Sequence, residues 1–200
     1  MVRKCTLTLM LATSLLAARP ASAIPVDLDV WLLTDPPKIA GPRTDEFQVA
    51  MGEIENTVYF DGTLYTYVHT VNPSLDDNLL LNTAFHVEGY TGTSGWSFSE
   101  SIAAGGSGAT DFAVFEVGQI AWLSLFGPLG WDANEPISFF FVSTKPPGLG
   151  DYNLRSGLID MESGTASSYA PVPEPGSIAL LGSGLVGLYT ALRRRRSLTA

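Results

Sequence analysis

The sequence predicts an all-β chain: a single antiparallel β-sandwich, jelly-roll or immunoglobulin-like, flanked by an N-terminal signal peptide and a C-terminal transmembrane helix. Three observations carry this. Between residues 24 and 170 no window sustains a 3.6-residue apolar period over 11 residues, so long amphipathic helices are excluded. The same stretch holds many short runs of β-branched and aromatic residues, parted by Gly, Pro, Asn and Ser. One of those partings, Asp61-Gly62, lies between Thr57-Val58-Tyr59-Phe60 and Thr63 to Val71, a strong local signal for a hairpin closed by a type I′ turn.

The chain opens on targeting chemistry. Arg3 and Lys4 precede an apolar run from Cys5 to Ala18, Arg19-Pro20 breaks it, and Ala21-Ser22-Ala23 follows. A positive region, an apolar region and an Ala-x-Ala site make residues 1–23 a signal peptide with cleavage after Ala23, which implies the Sec translocon and signal peptidase as partners. A retained anchor is the alternative, although the apolar run is short for a span. Cys5 is the only cysteine and leaves with the signal, so the exported domain must be stabilised by its core alone.

Residues 24–162 form the predicted ectodomain. Val26, Leu28, Val30 and Leu32 alternate with other residues and predict a first strand. Pro36-Pro37 and Gly41-Pro42 interrupt the pattern. After the hairpin, Asn72-Pro73-Ser74 ends its second strand. Further strands are predicted at Leu79–Glu88, Trp96–Glu100, Asp111–Val117, Ile120–Phe126, Ile137–Thr144 and, more weakly, Leu158–Met161. Gly105-Gly106-Ser107-Gly108 and Pro146-Pro147-Gly148 fill gaps. Residues 163–172, small and polar, read as a flexible linker.

Charge narrows the function. Residues 24–172 hold four basic and 19 acidic residues, a net charge of −15, whereas the whole chain carries −9. Such a domain repels nucleic acid, and anionic polysaccharide too unless a cation bridges them. Calcium is a candidate cation, with oxygen ligands at Asp76 and Asp77 foremost and at Asp27, Asp29, Asp45 and Glu46 besides, none in EF-hand spacing. His69, His86 and Glu88 could meet on paired strands, but histidines on a sheet face are more often packed than metal-bound, and no metal site is assigned. No Gly-x-Ser-x-Gly is present. Glu88, Glu100 and Glu116 are read as strand-end carboxylates, and a hydrolase would need two of them facing across a cleft, or a histidine bonded to a serine. No catalytic residue is assigned and the chain reads as a non-enzyme. Tyr90 and Trp131 fall in predicted loops and are the candidate sugar contacts, whereas Trp96 and Trp122 read as core.

The chain ends on its most specific signal. Gly176 to Leu192 is 17 residues without a charge, about 25 Å as a helix, at the short end for a bilayer core of about 30 Å. Arg193, Arg194, Arg195 and Arg196 follow and would hold the tail in the cytoplasm. Pro173-Glu174-Pro175 precedes the span as a stiff, extended acidic tripeptide. Val172 to Pro175, the glycine-bearing span and the Arg run together resemble the PEP-CTERM sorting signal, over about 30 of the 200 residues. The resemblance implies recognition by exosortase, an integral-membrane cysteine protease of transpeptidase type, in bacteria that make exopolysaccharide. Cleavage near Pro173-Glu174-Pro175 would then release the protein, or re-anchor it, at the cell surface or in the extracellular matrix. An ordinary single-pass anchor is the plainer alternative. For the ectodomain the reading is a structural or adhesive protein of biofilm or exopolysaccharide, with a carbohydrate-binding module as the alternative.

Overall fold

The computed structural model describes residues 28, 32, 36–74, 80–85, 87–108, 110, 112–116, 118–124, 131–156 and 162–172. Ten strands run through them: β1 Lys38–Glu46, β2 Gly52–Phe60, β3 Tyr65–Pro73, β4 Leu80–Ala84, β5 Tyr90–Ser97, β6 Phe112–Glu116, β7 Ile120–Ser124, β8 Ile137–Ser143, β9 Pro147–Ser156 and β10 Glu162–Pro171. A short helix, α1 Ser99–Ala104, follows β5, and a 3-10 turn, Gln48–Ala50, joins β1 to β2. The strands form two antiparallel sheets ordered β1-β2-β3-β8-β5 and β10-β9-β4-β7-β6. The expected all-β chain in antiparallel sheets is what forms.

The sheets meet across one core. Register puts Asn56, His69, Phe139 and Trp96 in one inward row of the first sheet. Leu154, Asn82, Trp122 and Val114 make a row of the second. Trp122 packs on Phe139 at 5.4 Å and His69 on Tyr152 at 4.9 Å between ring centroids, which ties the sheets together. Trp96 and Trp122 are buried, as expected of core residues.

Several elements depart from the local pattern. The Asp61-Gly62 hairpin exists, but its last pair is Phe60↔Tyr65 and the loop is Asp61 to Leu64. Only Gly62 takes positive φ, so the turn is not type I′. Asp61 instead accepts the Thr63 and Leu64 N–H groups on Oδ1, both at 2.8 Å, and the carboxylate wins the backbone donors that a tighter turn would leave for the strands. Of the strand expected from Val26 to Leu32, Leu28 and Leu32 are described, and the Leu32 N–H donates to the Leu28 carbonyl at 2.8 Å, a helical bond. Residues four apart share a face in a helix as surely as alternate residues do in a strand. Both leucines cover the outer face of the first sheet at Val68, Phe140 and Tyr59. That cover accounts for the burial of Phe140, which faces outward from β8.

The stretch expected as Leu79–Glu88 ends as a strand at Ala84, and that expected as Trp96–Glu100 ends at Ser97 and turns into α1. Glu116 does end a strand, but Glu88 sits in the turn before β5 and Glu100 in α1. β1 and β9 form where prolines predicted interruptions, because Pro147 opens a strand and Gly41-Pro42 lies in an edge strand, where a missing N–H costs no ladder bond. The expected linker 163–172 is the largest correction. It is β10 up to Pro171, paired with β9 through ten successive residues, since alternate small residues (Gly164, Ala166, Ser168, Ala170) are what a strand lying close over another sheet requires. Gly52 begins β2 with φ of +125°, and a Cβ there would stand 2.2 Å from the Asn72 carbonyl oxygen.

Candidate functional site

Among the described residues, three polar clusters and one chain junction bear on the candidate chemistry. The first cluster lies between the sheets. Asn56 Oδ1 contacts His69 Nδ1 at 2.8 Å, Ser168 Oγ donates to Asn56 Oδ1 at 2.9 Å, and Ser168 Oγ lies 3.0 Å from His69 Nδ1. Asn56 Nδ2 is spent on the Arg43 and Ser167 carbonyls, so its oxygen faces the ring and His69 carries its proton on Nδ1. Burial holds the His69 pKa down at about 3, so the ring is neutral. Here a histidine does meet a serine, as a hydrolase would require. Yet serine and amide share one ring nitrogen, all three residues are buried, and Nε2 has no partner among the described residues. A catalytic triad needs the base and its orienting group on opposite ring nitrogens, with the nucleophile open to substrate. The cluster's work is to bind β10 to the first sheet.

The second cluster centres on Glu135, 2% exposed. Its carboxylate accepts from Ser101 Oγ at 2.5 Å, the Asp132 N–H at 3.2 Å, the Gly108 N–H at 3.3 Å and Ser107 Oγ at 3.4 Å. Burial pushes its pKa up, but these donors together outweigh burial and hold it below the usual glutamate range. Trp131 donates from Nε1 to the Glu135 carbonyl at 2.7 Å and is fully buried against Phe112 and Phe139. Trp131 therefore corrects the sugar-contact reading: an aromatic flanked by Gly130 and Asp132 looked like a loop tip, but its apolar ring fills the core while its N–H is satisfied there. Sequence offered no signal for Glu135, whose donors come from residues up to 34 positions away.

The third cluster closes the opposite seam. The Tyr90 hydroxyl of β5 donates to Glu116 Oε1 of β6 in a short bond, and Ser94 Oγ adds a second at 3.2 Å. Burial, then the bond to Glu116, raise the Tyr90 pKa. Tyr90 is thus a strand residue tying the two sheet edges together, and it shares no open face with Trp131.

The junction is at the end of β10. This strand is a sheet edge, and at Ser167 its outward groups are taken: Asp45 Oδ2 accepts the Ser167 N–H at 2.7 Å while Asn56 Nδ2 donates to the Ser167 carbonyl. Asp45, weighed above as a cation ligand, is used here. One residue past the strand, the Val172 N–H donates to the Pro146 carbonyl at 3.1 Å. Beside it lies an open groove of about 350 Å³ lined by Glu88, Asp151, Leu149, Ser167 and Pro171 among others. Pro173, Glu174 and Pro175 come next in the chain. Residues 171–196 match the family model for the PEP-CTERM protein-sorting motif.

The PEP-CTERM match implies export, a membrane-anchored stage before sorting to the cell surface, and exosortase as the processing partner. It begins at the last residue of β10, so motif and fold share Pro171. No curated protein and no solved structure matches the chain. Pro173 to Pro175, Arg193 to Arg196, the predicted helix 176–192, Ala21 and Ala23 lie outside the described residues, as do Asp76, Asp77 and His86. Among the described residues no helix is long and apolar enough to cross a membrane, and no three His, Cys, Asp or Glu side chains converge as a metal site would need.

Proposed function

We propose that this chain is an exported structural or adhesive protein of the cell surface or exopolysaccharide matrix, whose sorting signal is cut by exosortase near Pro173-Glu174-Pro175. The observation that carries the reading is the PEP-CTERM match, joined without a spacer to a stably cored β domain. The fold supports the immunoglobulin-like form of the sandwich. Without β1, β6 and β7, the order β2-β3-β8-β5 against β10-β9-β4 parallels the A-B-E-D against G-F-C order of such domains. The link between strands B and F, a disulfide in antibody domains, corresponds here to the contact of His69 on β3 with Tyr152 on β9. A domain of this kind, delivered outside the cell without a cysteine of its own, suits mechanical or adhesive work at its loops and edges.

A hydrolase, the third reading after a carbohydrate-binding module, would draw on Glu88 and Asp151, which both line the groove beside Val172. Its position argues against it: until the signal is cut, that end of the domain is tied to the membrane-directed motif. Sugar binding through Tyr90 and Trp131 together loses its footing, and the alternative would need other residues. Intact-mass analysis of protein recovered from the bacterial surface tests the main reading. Ile24 should be the N-terminus and Arg193 to Ala200 should be gone. Recovery of the full-length chain, or of a chain that keeps Arg193 to Arg196, overturns it. Co-sedimentation of the same material with the host's exopolysaccharide tests the matrix role, and failure to sediment removes it.

A further inference from the structure

The final pair of the β9–β10 ladder is Pro147↔Pro171, and the Val172 amide extends the pairing by one bond to Pro146. The Val172 side chain occupies the space that a side chain on Gly148 would need, for a Cβ there would stand 2.3 Å from Val172 Cγ1. Ala170 and Pro171 are buried. Pro173 is therefore attached to a residue still held by the sheet. Recognition of an extended segment as an added strand draws its affinity from main-chain hydrogen bonds, so the main chain must be free. On the N-terminal side of this motif the main chain is already committed to β9.

Resting on the exosortase reading above, we propose that the fold controls the rate of sorting: the end of β10, Tyr169 to Val172, must leave β9 before the protease can engage Pro173-Glu174-Pro175, with Gly148 and Val172 as the positioning residues that hold the junction closed. Both sides of the unit are defined by the structure. Opening is feasible because β10 is a sheet edge and, among the described residues, has β9 as its one ladder partner. Opening stops at Ser168 and Ser167, because His69, Asn56 and Asp45 bind those two residues to the first sheet. The released run is thus four residues long, enough to extend the motif into a cleft, while the rest of the domain stays folded.

The test is pulse–chase of the full chain in an exosortase-bearing host, following loss of the C-terminal fragment by mass. One variant carries six Gly and Ser residues between Val172 and Pro173. A second carries Pro147→Cys with Pro171→Cys. These two face each other directly, and because Ser167 turns its N–H and carbonyl away from β9, odd-numbered β10 residues sit in non-hydrogen-bonded pairs, about 4.5 Å apart at Cα and within disulfide reach. The insertion should speed cleavage about tenfold, as expected when a local opening step is bypassed. The oxidised cysteine pair should slow cleavage about tenfold and recover with reductant, and it should have no effect in the insertion background. Equal rates for native and inserted chains overturn the proposal and leave exosortase processing standing. A disulfide that slows both backgrounds equally also overturns it. No cleavage of any form overturns the processing reading and this proposal with it.

Discussion

Glu135→Gln is the sharpest probe of what stabilises this domain. The substitution keeps shape and volume and changes only charge and one oxygen. In the native fold Oε1 takes Ser101, Ser107 and the Gly108 N–H, while Oε2 takes the Asp132 N–H. The serine hydroxyls can turn and accept, but the two backbone N–H groups cannot. Whichever way the glutamine amide is placed, its NH₂ confronts one of them. One backbone donor is then left unsatisfied, at about 1–3 kcal/mol, and the remaining bonds lose the strength that a charged acceptor gives. The expected loss is about 2–3 kcal/mol, which for a domain of this size lowers the midpoint by about 4–12 °C. The assay is thermal unfolding of the full chain in detergent, followed by near-ultraviolet circular dichroism of the buried tryptophans. A pH series separates charge from shape. Because the fold holds the Glu135 pKa below the unfolded value, its contribution is complete above about pH 4.5 and disappears as pH falls through the folded value. The gap between native and variant should close over that interval. A variant within about 1 °C of native at pH 7, or a gap unchanged at acid pH, would falsify the account.

His69→Leu addresses the other buried cluster. The unfolded ring takes up a proton near pH 6.5 and the folded ring not until about pH 3, so between those values the unfolded state binds more protons and stability drops as pH falls. Denaturant titrations of the native chain should show up to about 1.4 kcal/mol lost per pH unit in that window, and the leucine variant should lack this part of the slope; identical slopes would refute burial as the cause. Gly52→Ala should cost about 2–4 kcal/mol, since positive φ and the Asn72 carbonyl at 2.2 Å both oppose a methyl group. A urea midpoint unchanged from native would show that the β2 start relaxes freely. Replacing Pro173, Glu174 and Pro175 by alanine should leave the protein in the membrane fraction, and normal release would remove the motif from the sorting step.

What could be read from the chain alone was whatever nearby residues settle among themselves. The strand-forming runs at β2, β3, β6, β7 and β8, the Asp61-Gly62 reversal and the sorting motif are local patterns, written within a few positions by branched side chains, turn residues and charge. The N-terminal leucines mark the boundary of that approach, because Leu28 and Leu32 fit a strand face and a helix face equally well, and the outer surface of the first sheet decided between them. Tertiary structure alone determined the fate of residues 163–172. Their small polar side chains suit a tether in isolation and a close-packed edge strand in the presence of β9, Asp45, Asn56 and His69, more than 95 residues earlier in the case of His69. The same holds for Trp131 and Glu135, whose roles depend on donors and rings brought from distant strands. Hydrogen-bond satisfaction and core packing are properties of neighbours in space, and sequence spacing carries no measure of them until the sheets have closed.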